Sequence, residues 1–186
     1  MVLINKGFMC LVLCGLYSFV VASELVNENL LMNLPLPEGE WQMGQGKVDK
    51  NTLENRWTAL DEGAMMQVFI MYNQPEYKPG VSKQVDMEVG KKNCDKHFVS
   101  QDITSAMQGG YPQLTWFTEC KTSGGFYSKS IQKVIVGKDS RYEIKKIFYQ
   151  PPNLKRWQLW LDYLSEISVC DSRDKKKLCP QNIEIL

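Results

Sequence analysis

The sequence predicts an α+β domain: a mainly antiparallel sheet with a C-terminal amphipathic helix packed on one face, and two disulfides. Three observations predict it. Residues 113–120 alternate, and Tyr142, Ile144 and Phe148 share one face of residues 141–150, at the period of two that a strand requires. Residues 153–169 place apolar side chains at steps of three or four, the period of a helix buried on one side. Four cysteines, Cys94, Cys120, Cys170 and Cys179, remain beyond residue 23, and an even number in an exported chain pairs into bridges. The chain has 186 residues, 44% hydrophobic and 23% charged. That composition excludes a disordered chain, a collagen-like repeat and a polytopic membrane protein. With 22 basic and 21 acidic residues, it lacks the electrostatic footprint of a nucleic-acid binder.

Residues 1–23 read as a signal peptide: Lys6, then an uncharged apolar run ending at Val21-Ala22-Ser23. Cys10 and Cys14 follow Met9 and Leu13 rather than the small residue a lipoprotein signal needs, so lipidation is not expected. Residues 24–38 form a leader, because Pro35 and Pro37 forbid a long helix. Residues 39–186 form the single α+β domain.

Glu40 to Val48 is expected as a first strand, at an edge or bulged because of Gly44 and Gly46. Thr52 to Asp61 fits a helix or a strand. Ala64 to Tyr72 reads as a central strand, apolar on both faces and therefore covered on both. Val81, Val85 and Val89 fall at helical spacing. Asp102 to Gln108 reads as a short helix ended by Gly109-Gly110. Leu114, Trp116, Thr118 and Cys120 share one face of the next strand. Phe126 to Val136 and Arg141 to Gln150 make a hairpin around Gly137-Lys138-Asp139-Ser140. Pro151-Pro152 stops the second strand, and Asn153 caps a helix to about Val169. Its expected stripe is Leu154, Trp157, Leu161, Leu164 and Ile167, widened by Trp160 and Tyr163.

Four cysteines allow three connectivities. The sequential one, Cys94–Cys120 and Cys170–Cys179, is expected, because the polar segment between Cys170 and Cys179 cannot bury itself. No close cysteine pair suggests zinc or thiol redox chemistry. No nucleophile elbow, phosphate loop or dinucleotide fingerprint is present, so no catalytic residue, metal ligand or cofactor is assigned. His97 is the one imidazole and has no evident orienting partner. The carboxylates Asp61, Glu62, Asp86, Glu88, Glu119, Asp139 and Asp162 read as solvated faces and turn caps. Four tryptophans sit in core-like patterns. Trp41, on the suspected edge strand, is the candidate for ligand or partner contact.

Gly137-Lys138-Asp139-Ser140-x-Tyr142, Trp160 with Tyr163-Leu164, and Cys170-Asp171-Ser172-Arg173 with Cys179-Pro180 carry a resemblance. From about Gly110 the chain resembles small, exported, uncharacterised proteins of Legionella-like gammaproteobacteria. The resemblance implies bacterial export, a paired C-terminal cysteine and no established activity. The expected function is that of an exported, non-enzymatic binding protein, periplasmic or secreted. Its partner is an unidentified protein or small ligand, with no nucleic acid and no stable membrane insertion after signal removal. The alternative is an extracytoplasmic hydrolase with a carboxylate pair.

Overall fold

The structure, a computed structural model, describes residues 27–60, 63–73, 77–175 and 178–180. The expected signal peptide and the carboxylates Asp61 and Glu62 lie outside the described residues. In chain order the elements are β1 (Glu28–Leu31), β2 (Trp41–Asp49), β3 (Thr52–Ala59), β4 (Ala64–Tyr72), α1 (Pro79–Asn93), β5 (His97–Gln108), β6 (Tyr111–Lys121), β7 (Tyr127–Val136), β8 (Ser140–Phe148), α2 (Leu154–Glu166) and β9 (Ser168–Asp171). Seven strands form one antiparallel sheet in the order β2-β3-β4-β8-β7-β6-β5, and β1 pairs with β9 in a separate ribbon.

β2 lies at the sheet edge with a register shift between Lys47 and Asp49, so it is both an edge strand and irregular. The ambiguous segment at Thr52 is strand β3, paired on both sides. β4, β7 and β8 occupy the expected ranges. The helix expected at Asp102–Gln108 is instead the second half of β5. Pairing with β6 along the whole strand overrides local preference there. Gly109 and Gly110, read as a helix stop, have φ of 58° and 80° and form the tight hairpin turn between β5 and β6. The segment expected as a leader is, from Glu28 onward, part of the packed structure: it supplies β1, and Leu30, Met32 and Leu36 are buried in the main core.

That core lies between the sheet and α2. Strand register sets its rows: Leu53, Ile70, Tyr142 and Ile135 in one, Asn55, Val68, Ile144 and Lys133 in the next, Trp57, Met66, Lys146 and Ile131 in the third. Asn153 starts α2 by accepting the Arg156 amide at 2.8 Å. The expected stripe is buried except at its first position, with Trp157 and Leu161 partly buried against the core. Leu154 is 80% exposed, whereas Trp160, Tyr163 and Leu164 are buried with Ile167. The helix stops at Glu166 because the chain turns back into β9.

Two lysines sit inside this apolar layer. Lys133 Nζ donates to the carbonyls of Leu164 at 2.9 Å and Ile167 at 2.6 Å, and to Gln108 Oε1 at 3.0 Å. It thereby satisfies the end of α2 that the helix itself leaves open. Lys146 is 0% exposed. Its Nζ lies 4.0 Å from the Trp160 ring, 4.3 Å from Trp41 and 4.8 Å from Phe148, a cation–π cage that offsets part of the cost of burying charge.

α1 covers β5, β6 and β7 on the opposite face, above a smaller cluster of Leu114, Trp116, Val134 and Val136. Its inward side is polar. Asp86 accepts from Gln132 at 2.7 Å, Lys145 at 3.2 Å and Trp116 at 3.3 Å, and Ser82 donates to Glu143. Val81, Val85 and Val89, whose spacing predicts this helix, are exposed. β4 is therefore covered unequally. Met66, Val68 and Ile70 are buried under α2, while Met65 and Phe69 on the other face are half-buried.

Both bridges join in the sequential pattern. Cys94, at the end of α1, meets Cys120 of β6 with Cα atoms 5.3 Å apart. Cys170 meets Cys179 at 4.9 Å and holds the tail to β9 rather than to the helix.

Removing the 26-residue and 9-residue links by paired Cys→Ser substitution should lower stability by about 3.5 and about 2.6 kcal/mol respectively, on a chain-entropy basis. Urea unfolding of each double variant measures this, and intact mass of the native protein should show no free thiol among the four. Burial pushes the pKa of Lys133 down to about 8 from 10.5. Between those pH values the unfolded chain keeps a proton that the folded chain has released, so stability rises with pH across that window. Denaturant unfolding between about pH 8 and pH 10 should show this rise, and Lys133→Met should flatten it while costing about 1–3 kcal/mol at pH 7.

Candidate functional site

The turns β2–β3 and β7–β8 and the end of β4 lie at one end of the sheet, because Thr52 pairs with Met71 and Tyr72 with Ser140. Main-chain hydrogen bonds tie them together. The Tyr72 amide donates to the Asn51 carbonyl at 2.8 Å, and the Asn73 amide to the Asp139 carbonyl at 2.8 Å. Asn73 has φ of 59°, a left-handed conformation that asparagine adopts more readily than most residues.

β1 closes this end. Glu28 Oε1 accepts the Lys138 amide at 2.5 Å, and its Oε2 accepts the Asp139 amide at 2.9 Å. The hairpin turn is thus held by a carboxylate from the start of the domain, in addition to its own Gly137–Ser140 hydrogen bond. A Cβ at position 137 would meet the Glu28 carboxyl group, so a larger residue there would displace the carboxylate that holds the turn.

β9 adds the second half of the clasp. The buried Asp171 carboxylate accepts Arg173 Nε at 2.9 Å and Nη2 at 3.1 Å, and Lys138 Nζ approaches at 3.4 Å. Arg173 Nη2 reaches Asp139 Oδ2 at 2.6 Å. The sequence stretches around Lys138–Asp139 and around Asp171–Arg173, distant in the chain, are therefore one ion-pair cluster.

Beside the clasp is a depression of about 420 Å³ lined by Asn27, Glu28, Lys50, Asn51, Tyr72, Asn73, Asp139 and Ser140. The side chains of Asn51, Asn73 and Tyr72 make no hydrogen bond to another described residue. Tyr72 is 43% exposed. Behind Ser140 the hydroxyl of Tyr142 is buried without a well-formed hydrogen bond. Burial, and then the Glu28 charge, push its pKa above the ordinary phenol value, so it remains a neutral hydroxyl. A second depression of about 460 Å³, between the start of α1 and the β5–β6 hairpin, is lined by Pro79, Met107, Pro112 and Leu114 among others and carries no titratable side chain.

The residues singled out from the sequence lie elsewhere or in structural roles. Trp41 is half-buried. Its ring packs edge-on to Trp160 at 5.7 Å, and its Nε1 donates to the Glu38 carbonyl at 2.6 Å. His97 opens the edge strand β5 and is exposed. Asp86 anchors α1, Glu119 pairs with Lys121 and Lys129, and Asp162 accepts from Gln158. Among the described residues, no group of three or more His, Cys, Asp or Glu could hold a metal ion. Sequence reasoning reached Asp139 and Ser140 but missed Glu28, Asn51, Tyr72 and Asn73. Their one sequence signal is turn chemistry, shared by every surface loop.

Hydrogen bonds from Arg173 hold the Asp171 carboxyl well below its ordinary value of 3.8. Its contribution to stability is complete above that ordinary value and is lost as pH falls toward the folded one, because only the unfolded chain takes up the proton. Asp171→Asn should therefore be less stable than the native protein at pH 7, and urea unfolding should show the gap narrowing by pH 3.

No protein-family model matches the chain, and no curated protein is similar to it.

Proposed function

We propose that the protein is an exported, disulfide-stapled binding protein of the periplasm or extracellular medium, without enzymatic activity, whose ligand site is the depression at the turn end of the sheet. One observation supports this over the hydrolase: the division of roles among the polar groups there. A hydrolytic pair needs one carboxyl free to give a proton and another free to attack or to activate water. Glu28 and Asp139 line the same depression. Yet both oxygens of Glu28 accept main-chain amides, and Asp139 is engaged by Arg173. The neutral groups, the amides of Asn51 and Asn73 and the phenol of Tyr72, are left to face a ligand. The two disulfides suit an oxidising compartment, and no helix among the described residues is long and apolar enough to cross a membrane. The sequence resemblance to exported bacterial proteins agrees with that compartment.

Incubation with chromogenic glycosides and esters should give no turnover above buffer. Turnover abolished by Glu28→Gln or Asp139→Asn would establish the carboxylate pair and overturn the binding reading.

A further inference from the structure

We infer that the depression beside the clasp takes a neutral, hydroxyl-rich ligand, a saccharide; the inference rests on the binding reading above and names its ligand class. Its volume of about 420 Å³ falls in the range of about 300–1,000 Å³ usual for small-ligand sites. Its chemistry excludes the other classes in turn. An apolar ligand finds no aliphatic side chain among the lining residues. An anion meets Glu28 and Asp139, with the exposed Lys50 as the one cation of the lining. A metal ion lacks a set of three ligands among the described residues. An organic cation finds the two carboxylates already occupied by amides and by a guanidinium.

The free side chains match a saccharide. A carboxamide donates and accepts at once, as neighbouring sugar hydroxyls do. Asn51 and Asn73 present two such groups from adjoining strand ends. The exposed Tyr72 supplies the aromatic ring on which the C–H face of a sugar packs, with a polar hydroxyl at its tip. The frame is preformed. Tyr72 and Asn73 are fixed by main-chain hydrogen bonds to Asn51 and Asp139, and the β7–β8 turn by Glu28. Binding therefore orders few groups.

The test uses the mature protein purified from the exporting cell. A printed array of neutral and charged glycans is followed by isothermal titration with chitotetraose, maltotetraose and tetragalacturonate. At least one neutral glycan should bind, and Tyr72→Ala and Asn73→Gly should each weaken it by about 10-fold or more, about 1.4 kcal/mol. Asn73→Gly removes the amide while keeping the left-handed backbone, and unchanged urea unfolding shows that a loss is not misfolding. No neutral glycan bound at millimolar concentration overturns the saccharide assignment. Preference for tetragalacturonate over every neutral glycan overturns its neutrality, and binding unaffected by both substitutions overturns its location. Each of these is distinct from the glycoside turnover that would overturn the binding reading itself.

Discussion

The antiparallel pairing of β4 with β8 joins two meanders that are otherwise built from neighbours in sequence. β2, β3 and β4 follow one another across the sheet, and so do β5, β6, β7 and β8. Only the β4–β8 ladder connects the groups, across α1 and the strands β5, β6 and β7. A contact of that separation carries a large loop-closure cost, which hydrophobic burial under α2 must offset. Met66, Val68 and Ile70 of β4 and Tyr142, Ile144 and Phe148 of β8 supply that burial. The same ladder brings Tyr72 beside Ser140 and so creates the depression at the turn end.

The layer beneath α2 is unusual in holding two lysines. Register puts Lys133 next to Ile144 and Lys146 next to Met66 and Ile131, where an uncompensated ammonium would be strongly disfavoured. Each has a different solution. Lys133 becomes the missing donor for the end of α2 and fixes where that helix stops. Lys146 is enclosed by Trp41, Trp160 and Phe148, so β2, β8 and α2 meet around one cation. Both lysines therefore specify how α2 lies on the sheet, which greasy contacts alone leave loosely defined.

The clasp lies at the turn end of the sheet. β1 and β9 pair with each other rather than with the main sheet, and their acidic residues Glu28 and Asp171, partners across that ribbon, both reach the β7–β8 turn. The carboxylates of this region consequently hold structure, while its neutral side chains stay available. That separation of rigid frame from free groups is the arrangement a recognition site needs, since a group that fixes the backbone cannot also rearrange around a ligand.

Much of the local structure was legible in the residues. The hairpin around Gly137–Ser140, β4, the start of α2 at Asn153 and the pairing of Cys170 with Cys179 all depend on signals spread over a few positions. Where reading failed, a distant partner had intervened. Asp102–Gln108 is a strand because β6 lies beside it. The α1 valines face outward because Asp86 and Ser82 find partners on the sheet. Leu154 is exposed although it falls in the stripe, because it opens the first turn of α2 and the core is met only from Trp157 onward. Glu28 gives no local sign that it holds a turn more than a hundred residues away. By itself the sequence determined the period of β4, β8 and α2, the Gly137–Ser140 turn and the short Cys170–Cys179 link, since these act over short stretches of chain. Tertiary structure alone decided which strands meet, which faces are covered and which polar side chains are left free, because those depend on contacts whose partners no local pattern names.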